Sequence, residues 1–146
     1  MSKVYSFLDT KCAIVGVGGA FTLTGGATDE GITIAPRADK NTLVIGADGS
    51  GMHSRHADKS ANISIKLLKN SPTNALLSAM YNIQAETGAG WGQNTIALSS
   101  SVGDVITCTE VAFKKQPSVT YGKEGGMNEW DLECVSMTEV LAASII

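Results

Sequence analysis

The sequence predicts a mainly β fold, a sandwich or barrel-like sheet with one flanking α-helix (about 72–85) and a long inter-strand arm (about 47–60). Three observations carry this. Apolar residues recur at every second position over most of the chain, as in strands with one buried face. One segment alone carries the helical period. A glycine-rich stretch between two strands is far longer than an ordinary turn.

The elements follow in order. A first strand is expected near 3–8. "AIVGVGGAFTL" puts Ala13, Val15, Val17, Phe21 and Leu23 on one side, which predicts a strand over 12–24. Strands near 31–36 and 41–47 come next. "NISIKL" places Ile63, Ile65 and Leu67 opposite Asn62, Ser64 and Lys66, within a strand over 61–69. In "SPTNALLSAMYNIQAETG", Ser71 is placed to cap, Pro72 takes the first helical position, and Gly88 marks the stop. Leu76, Leu77, Met80 and Ile83 then share a helical face expected to cover the open side of a sheet. Strands near 93–99 and 104–114 follow, the latter aligning Val105, Val111 and Phe113 through Thr107 and Thr109. The last, over 128–135, sets Trp130, Leu132 and Cys134 against Glu129, Asp131 and Glu133. "TGGATDEG", "SSSVGD" and "KKQPSVTYGKEGGMN" supply the turn chemistry between strands.

A chain of 146 residues has the size of one domain, taken as 1–146. No apolar run approaches the ~20 residues of a membrane span, and the first residues lack the pattern of a signal peptide. These features predict a cytoplasmic, non-membrane protein. Cys12, Cys108 and Cys134 are odd in number and widely spaced, which fits reduced thiols and makes a poor zinc site. The net charge of −3 argues against nucleic-acid binding by the chain as a whole. Its distribution is uneven: Arg55, Lys59, Lys66 and Lys69 fall within 53–69, and Glu124, Glu129, Asp131, Glu133 and Glu139 within 124–139. The two segments read either as solvated faces or as surfaces by which one copy meets another.

The segment "IGADGSGMHSRHADKS" (45–60) holds three glycines, both histidines and one of two arginines. As a phosphate cradle it fails. Gly46 and Gly51 have the P-loop spacing, but Met52 stands where the lysine belongs, His53 where the hydroxyl belongs, and a strand follows instead of a helix. As a metal site it is incomplete: His53 and His56 have only Asp48 and Asp58 nearby, and a lone Asp48 before Gly49 makes no calcium loop. Ser50 lacks the spacing of a nucleophile elbow, and although Asp48, Ser50 and His53 could converge in space as a triad, nothing in the sequence supports it. No catalytic, cofactor or metal residue is therefore assigned, and the chain is read as no enzyme. An arm that grips a partner remains, formed by Asp48, Gly49, Ser50, Gly51, Met52, His53, Ser54, Arg55, His56 and Lys59, between flanking strands that pair with each other. Its basic residues lie toward its far end in sequence.

"YSFLD", "EGITI", "DKNTLVIGADGSGMHS", "LLKNSPTNALLSAMYN", "WGQNTI" and "VTYGKEGGMNEWDLEC" occur in this order along nearly the whole chain. Together they closely resemble the tail tube proteins of bacteriophages with contractile tails. Arg55 and His56 within the arm depart from the pattern, as does the apolar end "VLAASII". The resemblance implies a β-sandwich virion protein without cofactor. Its hexameric rings stack into a hollow tube for DNA and the tape measure protein, bridged by a long hairpin or loop. It implies sheath, tape measure, baseplate and tail terminator proteins as partners, DNA that passes without specific binding, and assembly in the host bacterial cytoplasm into the virion tail. Glu129, Asp131 and Glu133 become candidate lumen-facing acids, the outer wall or a contact with the next ring's arm being the alternatives. Two other readings stay open: the inner tube of a related contractile injection or secretion system, and a small-ligand or carbohydrate-binding β-sandwich.

Overall fold

A computed structural model describes residues 10–24, 31–88, 90–100 and 103–141, so the strand expected at 3–8 lies outside the described residues. The chain forms β1 (Lys11–Gly16), β2 (Gly19–Thr24), β3 (Gly31–Pro36), β4 (Asn41–Ile45), β5 (Gly51–Arg55) and β6 (Ala61–Leu68). It continues with α1 (Thr73–Thr87), β7 (Asn94–Ser99), β8 (Val105–Lys115) and β9 (Met127–Val140). Seven strands make one antiparallel sheet in the order β2-β1-β7-β8-β9-β6-β3, and β4 and β5 pair separately. Ile14, Ile96, Val111, Leu132, Ile63 and Leu67, drawn from strands across the sheet, meet in one buried cluster. Ile32 and Ile34 of the edge strand β3 line one cavity with Leu98 of β7 and Ile106 of β8, so the sheet curls around its apolar face. Met80 and Leu77 of α1 close the cluster.

The mainly β, one-helix reading agrees with this architecture, and four details differ. The stretch 12–24 is a tight hairpin and not one strand. Gly18 turns it at φ 98, a region that glycine enters without the cost of a β-carbon. The turn puts Cys12 and Ile14 inside, so Val15 and Val17, predicted inward, are exposed. In β8, Cys108 and Val111 are both buried although three apart. The alternation breaks between them at Glu110, whose φ is 54, and near here the register of β8 against β7 shifts. Val105 is exposed in consequence. The last strand runs on to Val140, well past the predicted 135.

The fourth difference concerns the helix. It begins at Thr73, with Pro72 before it, and ends at left-handed Gly88. The Ser71 hydroxyl accepts only a long bond, 3.4 Å, from the Thr73 N–H. Leu77 and Met80 are buried as predicted, but Leu76 and Ile83 lie outside, about half exposed. Gln84 takes the inner place. Its amide donates to Asn94 Oδ1 at 2.7 Å and to the Val17 carbonyl at 2.9 Å, and Asn94 Nδ2 donates back to Gln84 Oε1 at 3.0 Å. This fully buried amide pair pins α1 to the β1–β2 turn and to β7.

Candidate functional site: a projecting hairpin and a charged sheet face

The segment read as an arm is itself folded. β3 and β6 pair from Gly31↔Lys66 to Pro36↔Ala61, and the chain between them leaves the sheet as a second hairpin. β4 therefore pairs with β5, from Asn41↔Arg55 to Ile45↔Gly51, and not with β6 as the sequence suggested. The reason is legible afterwards: "GMHSR" is exposed or nearly so along its length, and a strand with no buried face shows no alternation. Gly46 donates to the Ser50 carbonyl at 2.7 Å to close the five-residue turn, and Gly49 takes φ 90. Asp48 Oδ1 accepts from the Ser50 N–H at 3.1 Å and its hydroxyl at 2.6 Å. These bonds hold the Asp48 carboxyl below the usual carboxylate range.

The root is stitched as well. Arg37 donates its N–H to the Ser60 carbonyl and His56 to the Lys40 carbonyl, each at 3.1 Å. Lys40 Nζ reaches the Asp58 carbonyl at 2.7 Å. The Asp58 carboxyl is lowered by the Ser60 hydroxyl and N–H that donate to it. Lys59 belongs to this root, where its carbonyl accepts from the Met137 N–H at 2.9 Å. Arg55 ends β5, so both bases sit at the root, while the tip carries only Asp48.

The histidines do not converge. His53 Nδ1 lies 3.0 Å from Asn41 Nδ2, and His56 Nε2 lies 2.6 Å from Thr42 Oγ1. Neighbouring residues of β4 face opposite sides of the ribbon, so the two rings lie on opposite faces. Among the described residues no group of three or more His, Cys, Asp or Glu is placed to hold a metal. What the ribbon does present is apolar. Leu43, Val44, Ile45 and Met52 are each at least half exposed. A free two-stranded ribbon is marginal in water, and this one bears side chains suited to contact.

The second feature is the outward face of β6, β9 and β8. Trp130, Leu132 and Cys134 are buried as predicted, so Glu129, Asp131 and Glu133 face outward. Each acid has a partner on a neighbouring element. Ser64 Oγ donates to Glu129 Oε1 at 3.1 Å, Lys115 Nζ stands 3.7 Å from Asp131, and Arg37 Nη1 stands 3.7 Å from Glu133. Lys66 is the cross-strand neighbour of Glu129. The face is thus a mixed lattice of charge and not an acidic lane, a pairing across strands that linear sequence does not display.

Comparison with known proteins adds the following. The sequence model of a family described as bacteriophage PhiTE tail tube protein matches residues 1–142. No curated protein matches the chain. Among solved structures, the tube-terminating cap of the anti-feeding prophage superposes with a TM-score of 0.58 at 12% identity, covering 97% of this chain and 94% of that one. The sheath–tube complex of PVC, an extracellular contractile injection system, in its extended state gives 0.58 at 10%, covering 95% and 93%. The baseplate of the anti-feeding prophage gives 0.54 at 10%, covering 100% of both chains. At these identities the likeness is one of fold. No helix among the described residues is long and apolar enough to cross a membrane.

Proposed function

The chain belongs to the bacteriophage PhiTE tail tube protein family, and from that membership we propose that it acts as a single domain building hexameric rings that stack into a hollow conduit for DNA ejection. It is a structural subunit of the tail tube and a component of the virion. The reading requires no catalysis and no cofactor. Subunits assemble in the host cytoplasm, and the finished tube meets sheath, tape measure, baseplate and terminator proteins.

The observation that carries the ring-stacking part is the β4–β5 hairpin. It leaves the sheet as an exposed ribbon with apolar residues on both strands, and the described residues leave Leu43, Val44, Ile45 and Met52 at least half uncovered. A neighbouring copy supplies that cover. Residues 48–56 act as the grip through Met52 and the ribbon around it, while Arg55 and Lys59 fix its root.

The outward face of β6, β9 and β8 is assigned to the lumen. Its bases are matched by Glu129, Asp131 and Glu133, so it offers phosphates little net positive charge to displace their counterions. Six copies at −3 sum to about −18 per ring, which favours sliding over binding.

Excising the hairpin tests the proposal. Because His56 N–H already bonds the Lys40 carbonyl, residues 41–55 can be replaced by an Asn-Gly turn without straining the root. The shortened subunit is expected to fold and to form rings that do not elongate. Long tubes from it, seen by negative-stain microscopy, would remove the arm from the account.

A further inference from the structure

Among the exposed apolar surfaces on the body of the molecule, the outer side of α1 matches the hairpin in lacking charge. α1 buries Leu77, Met80 and Gln84, yet on its outer side Leu76 and Ile83 are 49% and 45% exposed. Val17 and Trp91, also exposed, extend the patch: Ile83 packs over Gly18 and Val17 over Gly90. From 73 to 85 the helix carries no charged residue, and from 41 to 54 the hairpin carries only Asp48. Joining two such surfaces desolvates almost no charge, which is the usual cost of burying a surface helix.

Topology places the two surfaces at opposite ends. The hairpin enters the sheet at Ala61, the first residue of β6, and the chain leaves Leu68, the last, toward α1. β6, β9, β8, β7 and β1 are successive antiparallel neighbours, so β1 runs in the direction of β6, and the β1–β2 turn that holds α1 lies at the Leu68 end. The eight residues of β6 separate the ends by about 26 Å at strand rise. A subunit cannot fold its hairpin onto its own helix without leaving the sheet. Contact between two different patches at opposite ends is heterologous, and repeated without closure it yields an open stack of copies in one orientation.

We propose that the outer face of α1, centred on Leu76 and Ile83, is the receptor for the β4–β5 hairpin of the axially neighbouring copy. The proposal rests on the ring-stacking reading above and specifies its missing half. Leu43 and Ile45, on one face of the ribbon, supply the apolar insert, and Val17 and Trp91 form the side of the seat nearest the β1–β2 turn.

Two measurements on the full chain decide it. In the first, Leu43→Cys and Leu76→Cys are combined, assembled tubes are treated with a short bis-maleimide, and the chains are separated under denaturing conditions. The native thiols of Cys12, Cys108 and Cys134 are buried and do not compete. The expected result is a covalent ladder running beyond six chains, absent from either single variant. Tubes that give no ladder, or one that stops at six, overturn the proposal. In the second, Leu76→Asp with Ile83→Asp is expected to keep the melting transition of the subunit while sedimentable tube falls at least tenfold. Wild-type tube yield from the aspartate variant overturns the receptor and leaves the arm standing if the hairpin excision still blocks elongation. If the aspartate variant does not fold, the cross-link alone decides.

Discussion

Gly16 sits so close to Asn94 that a β-carbon there would lie 1.7 Å from Asn94 Oδ1. Asn94 and its partner Gln84 are both fully buried, so neither amide can turn to water. Gly16→Ala is expected to break the pair and lower stability by about 2–4 kcal/mol, from overpacking and stranded amides; the urea midpoint measures it. Burial pushes the Cys12 thiol up from 9.0 to about 12, and burial together with the adjacent Cys134 does the same to Cys108. In the unfolded chain these thiols ionise near 9.0, whereas the fold holds them neutral. Their contribution to stability is therefore complete below pH 9 and drains away as pH rises toward 12. A double Cys12→Ala, Cys108→Ala variant should flatten that alkaline loss, as followed by circular dichroism against pH. A variant with the wild-type alkaline transition would show that other groups cause it. In the sequence the three cysteines read as reduced thiols, and they are free and buried. The amide pair had no signature, because Gln84 and Asn94 lie on different elements and nothing local marks either as inward.

At the scale of elements, legibility followed burial. β6 and β9 bury one face each, and their inward residues were legible by alternation alone. β1 and β8 misled where a local backbone feature reset the phase: the turn at Gly18, and the positive φ of Glu110. The "GVGG" run held the signal for the first. Nothing in "CTEV" announced the second, since glutamate rarely adopts that region. Glu110→Gly should relieve the conformation and raise stability by about 0.5–1 kcal/mol, less the entropy glycine adds to the unfolded chain. A drop in melting temperature would mean that the exposed Glu110 side chain holds the strand in place. The hairpin was legible as a long excursion and illegible as a ribbon, because β4 and β5 are exposed and their pairing leaves no hydrophobic rhythm. α1 was legible in extent and misread in orientation. With apolar residues on two sides, the outer pair Leu76 and Ile83 looks in sequence like core.

At the scale of the whole molecule, a curled sheet with its own core carries surfaces it cannot satisfy alone: a ribbon at one end, a neutral helix face at the other, and a charge-matched wall between them. The lumenal position proposed for the wall is testable by charge reversal. Replacing Glu129 and Asp131 by lysine removes the carboxylate across the strand from Lys66 and the one beside Lys115, while Arg37 keeps Glu133. A lumenal position predicts tubes that assemble but retain DNA, with slowed ejection and a release that speeds up as salt rises. Normal ejection from normal tubes would move this face to the outside of the tube.

On the proposed reading, this chain needs no other component to form a tube. Electron microscopy of the purified, concentrated full chain in the presence of a chelator tests it most directly. The expected result is hollow tubes of stacked rings whose end views show six subunits around a lumen, unaffected by removal of metal. A population that stays monomeric at every concentration, or tubes that vanish in chelator and return with zinc, would contradict it.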